Sequence, residues 1–187
     1  MPGLFVSAFA LQQTLNAANM RFCFIGGIVL QRWGEPRFTQ DIDLTLLCTF
    51  GDELRVVSAL QPLLASRMSD PAAFAADARM YLGRMADGTP VDIALGGLPF
   101  EERAFERASN YEFSSDITLN TCSAEDLIVM KAFANRERDW LDVESVLIRQ
   151  TNHLNWQIID DELKPLAALR EDADIAARLD SLRKKIS

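Results

Sequence analysis

The chain has 187 residues, 49% hydrophobic and 25% charged, a composition that suits one globular domain or one domain with a small helical appendage. Its formal net charge of −8 argues against a protein that grips long DNA or RNA, because that task calls for a basic face. No run of about 18 apolar residues occurs, so no membrane-spanning helix is expected, and Met1-Pro2-Gly3-Leu4-Phe5 lacks the basic start of a signal peptide.

Residues 7–19 are expected to form an amphipathic helix with Phe9, Leu11 and Leu15 on its apolar face. Arg21 to Ile25 is rich in strand formers and runs into Gly26-Gly27. A helix is then expected over 27–33, stopped by Gly34 and Pro36. Residues 40–48 read as a buried strand, and 52–67 as a helix carrying Leu54, Val57, Leu60 and Leu64 in register. Asp87-Gly88 is a hairpin signal joining strands near 79–85 and 90–95. A helix over 100–108 is expected to expose Glu101 and Glu102, and 110–119 to hold one or two short strands. Ser123 is a good N-cap with Glu125 and Asp126 in the following turn. From there the pattern is helical only, over 124–150 with a break near Arg136, then 156–169 and 173–184. The sequence thus divides into a mixed α/β part, residues 1–121, and a helical part, residues 122–187.

Cys23, Cys48 and Cys122 are odd in number and widely spaced, forming neither a disulfide framework nor a zinc motif. They read as the reduced, buried thiols of a cytoplasmic protein. His153 has no companion motif and reads as a surface residue. Arg183-Lys184-Lys185 reads as a solvated helix end, and Trp33, Trp140 and Trp156 as packing aromatics.

The chemistry concentrates on carboxylates. In a strand, Asp41 and Asp43 point to one face and Ile42 to the other. Two like charges so placed need a compensating cation, and Mg²⁺ combines a few carboxylates with phosphate oxygens. Asp92 lies in the apolar strand Val91-Asp92-Ile93, where a lone charge is costly. If that strand pairs near the first, three carboxylates converge on a two-metal site. Alone, the Asp-x-Asp pattern more often marks a solvated edge strand. Gly26-Gly27, opening a helix after a strand, lets backbone N–H groups approach a phosphate. Arg37 is placed to neutralise phosphate and Thr39 to orient Asp41 or a phosphate oxygen. On a continuous helix Lys131, Asn135, Arg138 and Asp142 share one face, opposite Val129, Phe133, Trp140 and Leu147.

Phe24-Ile25-Gly26-Gly27, Arg37-Phe38-Thr39-Gln40-Asp41-Ile42-Asp43-Leu44 and Val91-Asp92-Ile93 resemble the nucleotidyltransferase superfamily signature. The Arg-x-Thr-x-Asp-x-Asp form is similar to the abortive-infection type IV toxin branch, and the stretch Lys131 to Asp142 resembles that branch's Lys-x-x-Ala and Arg-Asp-x-x-Asp helix. The resemblance covers about residues 22–145. It implies an α+β fold: a nucleotidyltransferase-type mixed β-sheet flanked by helices, followed by a helical C-terminal part. It also implies that Asp41, Asp43 and Asp92 bind Mg²⁺, two ions being expected, and act in catalysis. Gly26, Gly27, Arg37, Thr39, Lys131, Arg138 and Asp142 are assigned to nucleotide binding, with Asp139 organising the same side and Arg136 a weaker candidate.

The expected reaction is transfer of NMP from an NTP to a hydroxyl of an unknown RNA or protein acceptor, with pyrophosphate released. A toxin–antitoxin setting with an antitoxin-like partner is implied. Two other classes stay open: a nucleotide-binding or regulatory protein that performs no transfer, and transfer to a small aminoglycoside-like hydroxyl compound, whose positive charge an acidic protein attracts.

Overall fold

The computed structural model describes residues 3–170 and 174–186. Two compact units emerge, each made of two stretches of chain: Met1–Ile28 with Phe38–Cys122, and Val29–Arg37 with Ser123–Ser187. The segment Val29–Arg37, placed with the α/β part in the sequence reading, groups with the helical stretch.

The first unit begins with α1 (Leu4–Ala17), β1 (Phe22–Phe24) and the start of α2 (Gly26–Trp33). After Arg37 come β2 (Ile42–Leu47), α3 (Glu53–Leu60), β3 (Ala65–Ser66), α4 (Pro71–Ala78), β4 (Met80–Arg84) and β5 (Pro90–Gly96). α5 (Pro99–Arg107), β6 (Ser109–Ser114) and β7 (Ile117–Thr121) complete it. The strands form one mixed sheet in the order β3-β4-β5-β2-β1-β7-β6. β2 lies at its centre, antiparallel to β1 and parallel to β5. Burial explains that position: Ile42, Leu44, Leu46, Val91, Ile93 and Leu95 are almost wholly enclosed on alternate positions of the two strands. Phe24 of β1, opposite Leu44, is enclosed on the same side, and Cys23 of β1, Leu119 of β7 and Leu11 and Leu15 of α1 are buried as well.

Two sequence expectations change here. The helix expected over 52–67 ends at Leu60. Pro62 has no N–H to donate to the carbonyl four residues back, so the ladder stops. Leu54 is 60% exposed, off the buried stripe of Val56, Val57 and Leu60. Glu101 is not purely solvated: its Oε2 accepts the Leu98 N–H at 2.8 Å, and burial pushes its carboxyl up from the usual range. The unanticipated helix α4 has a readable start, since Asp70 accepts the Ala73 N–H at 2.9 Å and Pro71 follows it.

In the second unit Val29 to Trp33 continue α2, and α6 (Ala124–Ala134), α7 (Glu137–Gln150), α8 (Trp156–Leu169) and α9 (Asp174–Ile186) follow. The last helix was expected from Ala173, which lies outside the described residues. Leu127, Ile128, Val143, Val146, Leu147, Ile159 and Leu163 are buried. Ser123 caps α6 by accepting the Asp126 N–H at 3.1 Å. Arg178 of α9 lies over the Trp140 ring and bonds Glu137 through both guanidinium nitrogens at 2.8 Å. Arg183 similarly stacks on Trp156. Among the described residues no helix is long and apolar enough to cross a membrane.

Candidate active site

The sheet brings Asp43 and Asp92 together. Asp43 on β2 is the register partner of Asp92 on β5. Lateral neighbours on parallel strands point to one face with Cα atoms about 4.8 Å apart. The apolar residues on either side, Ile42, Leu44, Val91 and Ile93, are buried at the opposite face, so alternation leaves the two acids facing outward together.

Backbone packs against this pair. Gly26 takes φ +66°, a left-handed conformation that glycine adopts without a Cβ penalty. A Cβ there would overlap Asp43 Oδ2 and lie 2.6 Å from its carboxyl carbon. Gly27 N–H points to Asp43 Oδ2 at 3.4 Å. A Cβ on Gly27 would come within 2.6 Å of Thr39 Oγ1. Both glycines are therefore required by close approach: the first by Asp43, the second by Thr39. Thr39 Oγ1 in turn reaches the Asp41 carbonyl at 3.5 Å.

Asp41 is exposed and stands one residue before β2, which begins at Ile42 rather than at Gln40. Among the described residues no group of three or more His, Cys, Asp or Glu is positioned to hold a metal ion. The structure thus brings Asp43 and Asp92 together and does not close the expected three-carboxylate cluster around them. The donor chemistry still fits Mg²⁺, which commonly takes one or two carboxylates and fills its remaining positions with water and substrate phosphate. Oxygen donors on a rigid sheet, with a Cβ-free backbone beside them, meet that requirement.

Asp92 has a partner that the sequence reading missed: Arg67 Nη2 bonds its Oδ1. The helix expected over 52–67 includes Arg67. The signal available was Pro62, which ends that helix and frees the following residues to pair with the sheet.

The remaining assigned residues form a second cluster, within the helical unit. Lys131 and Asp142 are buried, and Lys131 Nζ donates to Asp142 Oδ2 at 2.7 Å and to Asp139 Oδ1 at 3.3 Å. Arg37 grips the same Asp142 with Nε and Nη2, both at 2.9 Å. Arg136 bonds Asp139 from the exposed side. Burial alone raises the Asp142 carboxyl, but the hydrogen bonds from Arg37 and Lys131, with their charges, outweigh it and hold the group below the usual carboxylate range. Three cations thus meet two carboxylates.

This cluster does not arise from one continuous helix face. Asn135 has φ +54° and ends α6, its side-chain oxygen accepting the Trp140 Nε1–H at 2.7 Å. The break turns α7 back on α6, so Lys131 meets Asp142 across a helix pair. Arg138 faces solvent apart from the cluster.

The family model for the nucleotidyl transferase AbiEii toxin of type IV toxin–antitoxin systems matches residues 10–184. The chain belongs to this family. Its nucleotidyltransferase fold is also that of the antibiotic-resistance factor ANT(2'')-Ia in solution. That structure aligns with a TM-score of 0.52 and 14% identity, covering 89% of this chain and 91% of the other. An antigenic nucleotidyltransferase-like protein from Paracoccidioides brasiliensis aligns at TM-score 0.49 and 16% identity, over 95% of this chain and 92% of that one. Lincomycin-bound lincosamide antibiotic adenylyltransferase LnuA aligns at 0.49 and 12%, over 78% and 96%. No curated protein matches the sequence. In this AbiEii-family chain the α+β fold expected from the motifs is present, with the mixed sheet preceding the helical stretch.

Proposed function

We propose that this chain transfers a nucleoside monophosphate from an NTP to a hydroxyl of an RNA or protein acceptor, with Mg²⁺ as cofactor and pyrophosphate as the other product. The observation that carries the reading is the in-register pair Asp43 and Asp92, with Gly26 backbone pressed against the first. Bound with the nucleotide, Mg²⁺ supplies positive charge for in-line displacement at phosphorus.

The chain's own residues do the holding and orienting. Asp41, Asp43 and Asp92 are the proposed ligands, and Asp43 or Asp92 is the proposed acceptor of the hydroxyl proton. Gly26 and Gly27 present backbone to the phosphates at the start of α2. Thr39 steadies the backbone of Asp41. Within the helical unit, Asp142 fixes Arg37 and Lys131 by holding both. The described cysteines are buried and form no disulfide, in keeping with a reducing, cytoplasmic setting. Family membership supports a toxin role with an antitoxin-like protein partner.

Nucleotide binding with and without Mg²⁺, in wild type, Asp41→Ala and Asp43→Asn, tests the reading. Mg²⁺-dependent NTP binding is expected in wild type and is lost in both variants. Retention of that binding in both sinks the assignment of the site. Incubation with α-labelled NTPs and RNA, protein or aminoglycoside acceptors then reads out transfer. Label on RNA or protein with pyrophosphate release supports the proposal. Label on an aminoglycoside moves the acceptor to the small cations that a net charge of −8 attracts. Binding with no release with any acceptor favours a regulatory protein.

A further inference from the structure

Arg67 belongs to the same row of the sheet as the two acids. Ala65 and Ser66 pair with Arg84 and Gly83, so the antiparallel register continues to Arg67 opposite Leu82. The Arg67 N–H donates to the Leu82 carbonyl at 2.8 Å, extending the pairing by that residue. Leu82 is the register partner of Asp92, and Asp92 of Asp43. Arg67, Leu82, Asp92 and Asp43 therefore occupy successive lateral positions on four adjacent strands. Two strand spacings, about 9.6 Å, separate the Arg67 and Asp92 backbones. An extended guanidinium side chain spans that gap over Leu82 and reaches the carboxylate.

The segment is held in place at its backbone. The Ser66 hydroxyl bonds both the N–H and the carbonyl of Met68, each at 3.0 Å. The guanidinium and the Asp92 carboxylate, by contrast, are 27% and 29% exposed, so water and ions reach the pair. Like charges placed side by side on neighbouring strands destabilise the sheet. Arg67 supplies positive charge in that row, directly at Asp92.

We propose that Arg67 is the resident counter-cation of this carboxylate pair, seated on Asp92 and displaced when a divalent ion binds. The inference rests on the Mg²⁺ reading of the site. It adds a residue outside the motif that sets how readily the ion enters. Arg67 keeps the paired acids tolerable in the metal-free protein and raises the metal concentration needed to fill the site.

Mn²⁺ binding to the full chain, followed by electron paramagnetic resonance, tests this in wild type, Arg67→Gln and Asp92→Asn. Removing the competing charge is expected to tighten Mn²⁺ binding roughly three- to tenfold in Arg67→Gln, the range for a partly exposed pair acting on a divalent ion. Asp92→Asn is expected to weaken it. Affinity in Arg67→Gln equal to or below wild type, with Asp92→Asn still weakened, overturns the role of Arg67 and leaves the metal site standing. Absence of Mn²⁺ binding in wild type and every variant overturns both. A second measurement needs no folded variant at this position. The Arg67 Nε–H resonance of wild type is expected to move toward the free-arginine position on Mg²⁺ titration. A resonance fixed up to Mg²⁺ saturation refutes displacement.

Discussion

Gly26→Ala isolates the closest approach in the site. The substitution has two costs. An alanine forced into the left-handed region at φ +66° loses about 1–2 kcal/mol. The added methyl would also overlap Asp43 Oδ2 and lie 2.6 and 2.7 Å from the next two carbons of that side chain, an overpacking worth about 1–3 kcal/mol. Together these give roughly 2–5 kcal/mol, or a melting temperature lowered by about 5–15 °C for a chain of this size. Gly51→Ala supplies the internal reference. Gly51 has φ +92° and nothing within 4 Å of its missing Cβ, so it carries the conformational cost without the clash. Urea unfolding of both variants, with Mn²⁺ affinity measured beside it, separates the two contributions. Gly26→Ala is expected to be the less stable of the two and to bind Mn²⁺ more weakly, because Asp43 must turn aside. Equal stability of the two variants, with wild-type Mn²⁺ affinity in Gly26→Ala, would refute the argument that Asp43 is seated on a Cβ-free backbone.

Tyr81→Phe removes a buried hydroxyl that donates to the Leu64 carbonyl at 2.6 Å. A loss of about 1–2 kcal/mol in urea unfolding is expected, with Mn²⁺ affinity unchanged; an unaltered midpoint would contradict it. Asp142→Asn takes one partner from a buried pair and is expected to cost about 3 kcal/mol at neutral pH. Its pH dependence follows from the lowered carboxyl of Asp142. The unfolded chain takes up that proton at about 3.9 and the folded chain only at lower pH. The stabilisation is therefore complete above about pH 5 and is lost as pH falls through the folded value. Unfolding midpoints of wild type and Asp142→Asn should draw together as pH falls below about 5; a gap that stays constant down to acid unfolding argues against the linkage.

Much of the acidic face was legible because its constraints are local. The alternation through Ile42, Asp43 and Leu44 fixes which way an acid points, and a glycine pair after a strand marks a close backbone approach. The pairing of Asp43 with Asp92 followed from one assumption, that their strands are neighbours, which the register bears out. The parts that were not legible depend on distant partners or on a single backbone reversal. Arg67 contacts Asp92 only because three strands align across the sheet, and nothing in its neighbours in sequence encodes that row. Asn135 changed the meaning of the Lys131 spacing: one left-handed residue replaces a helical face with a helix pair. Arg37 and Lys131 were read as side chains awaiting phosphate, and both are engaged by Asp142, whose place beside them needs that reversal.

The grouping of Val29–Arg37 with Ser123–Ser187 has a consequence for synthesis. Leu30 and Val29 are fully buried in the finished protein, yet they leave the ribosome more than 90 residues before the stretch they group with begins. At roughly 5–20 residues per second that delay lasts several seconds or more. During it a nascent chain carries the glycine turn and the carboxylate strand while the apolar end of α2 stays uncovered. A fragment cut after Cys122 would freeze the chain at that stage. Such a fragment would hold Asp43 and Asp92 but offer Val29 and Leu30 to chaperones or to other copies of itself.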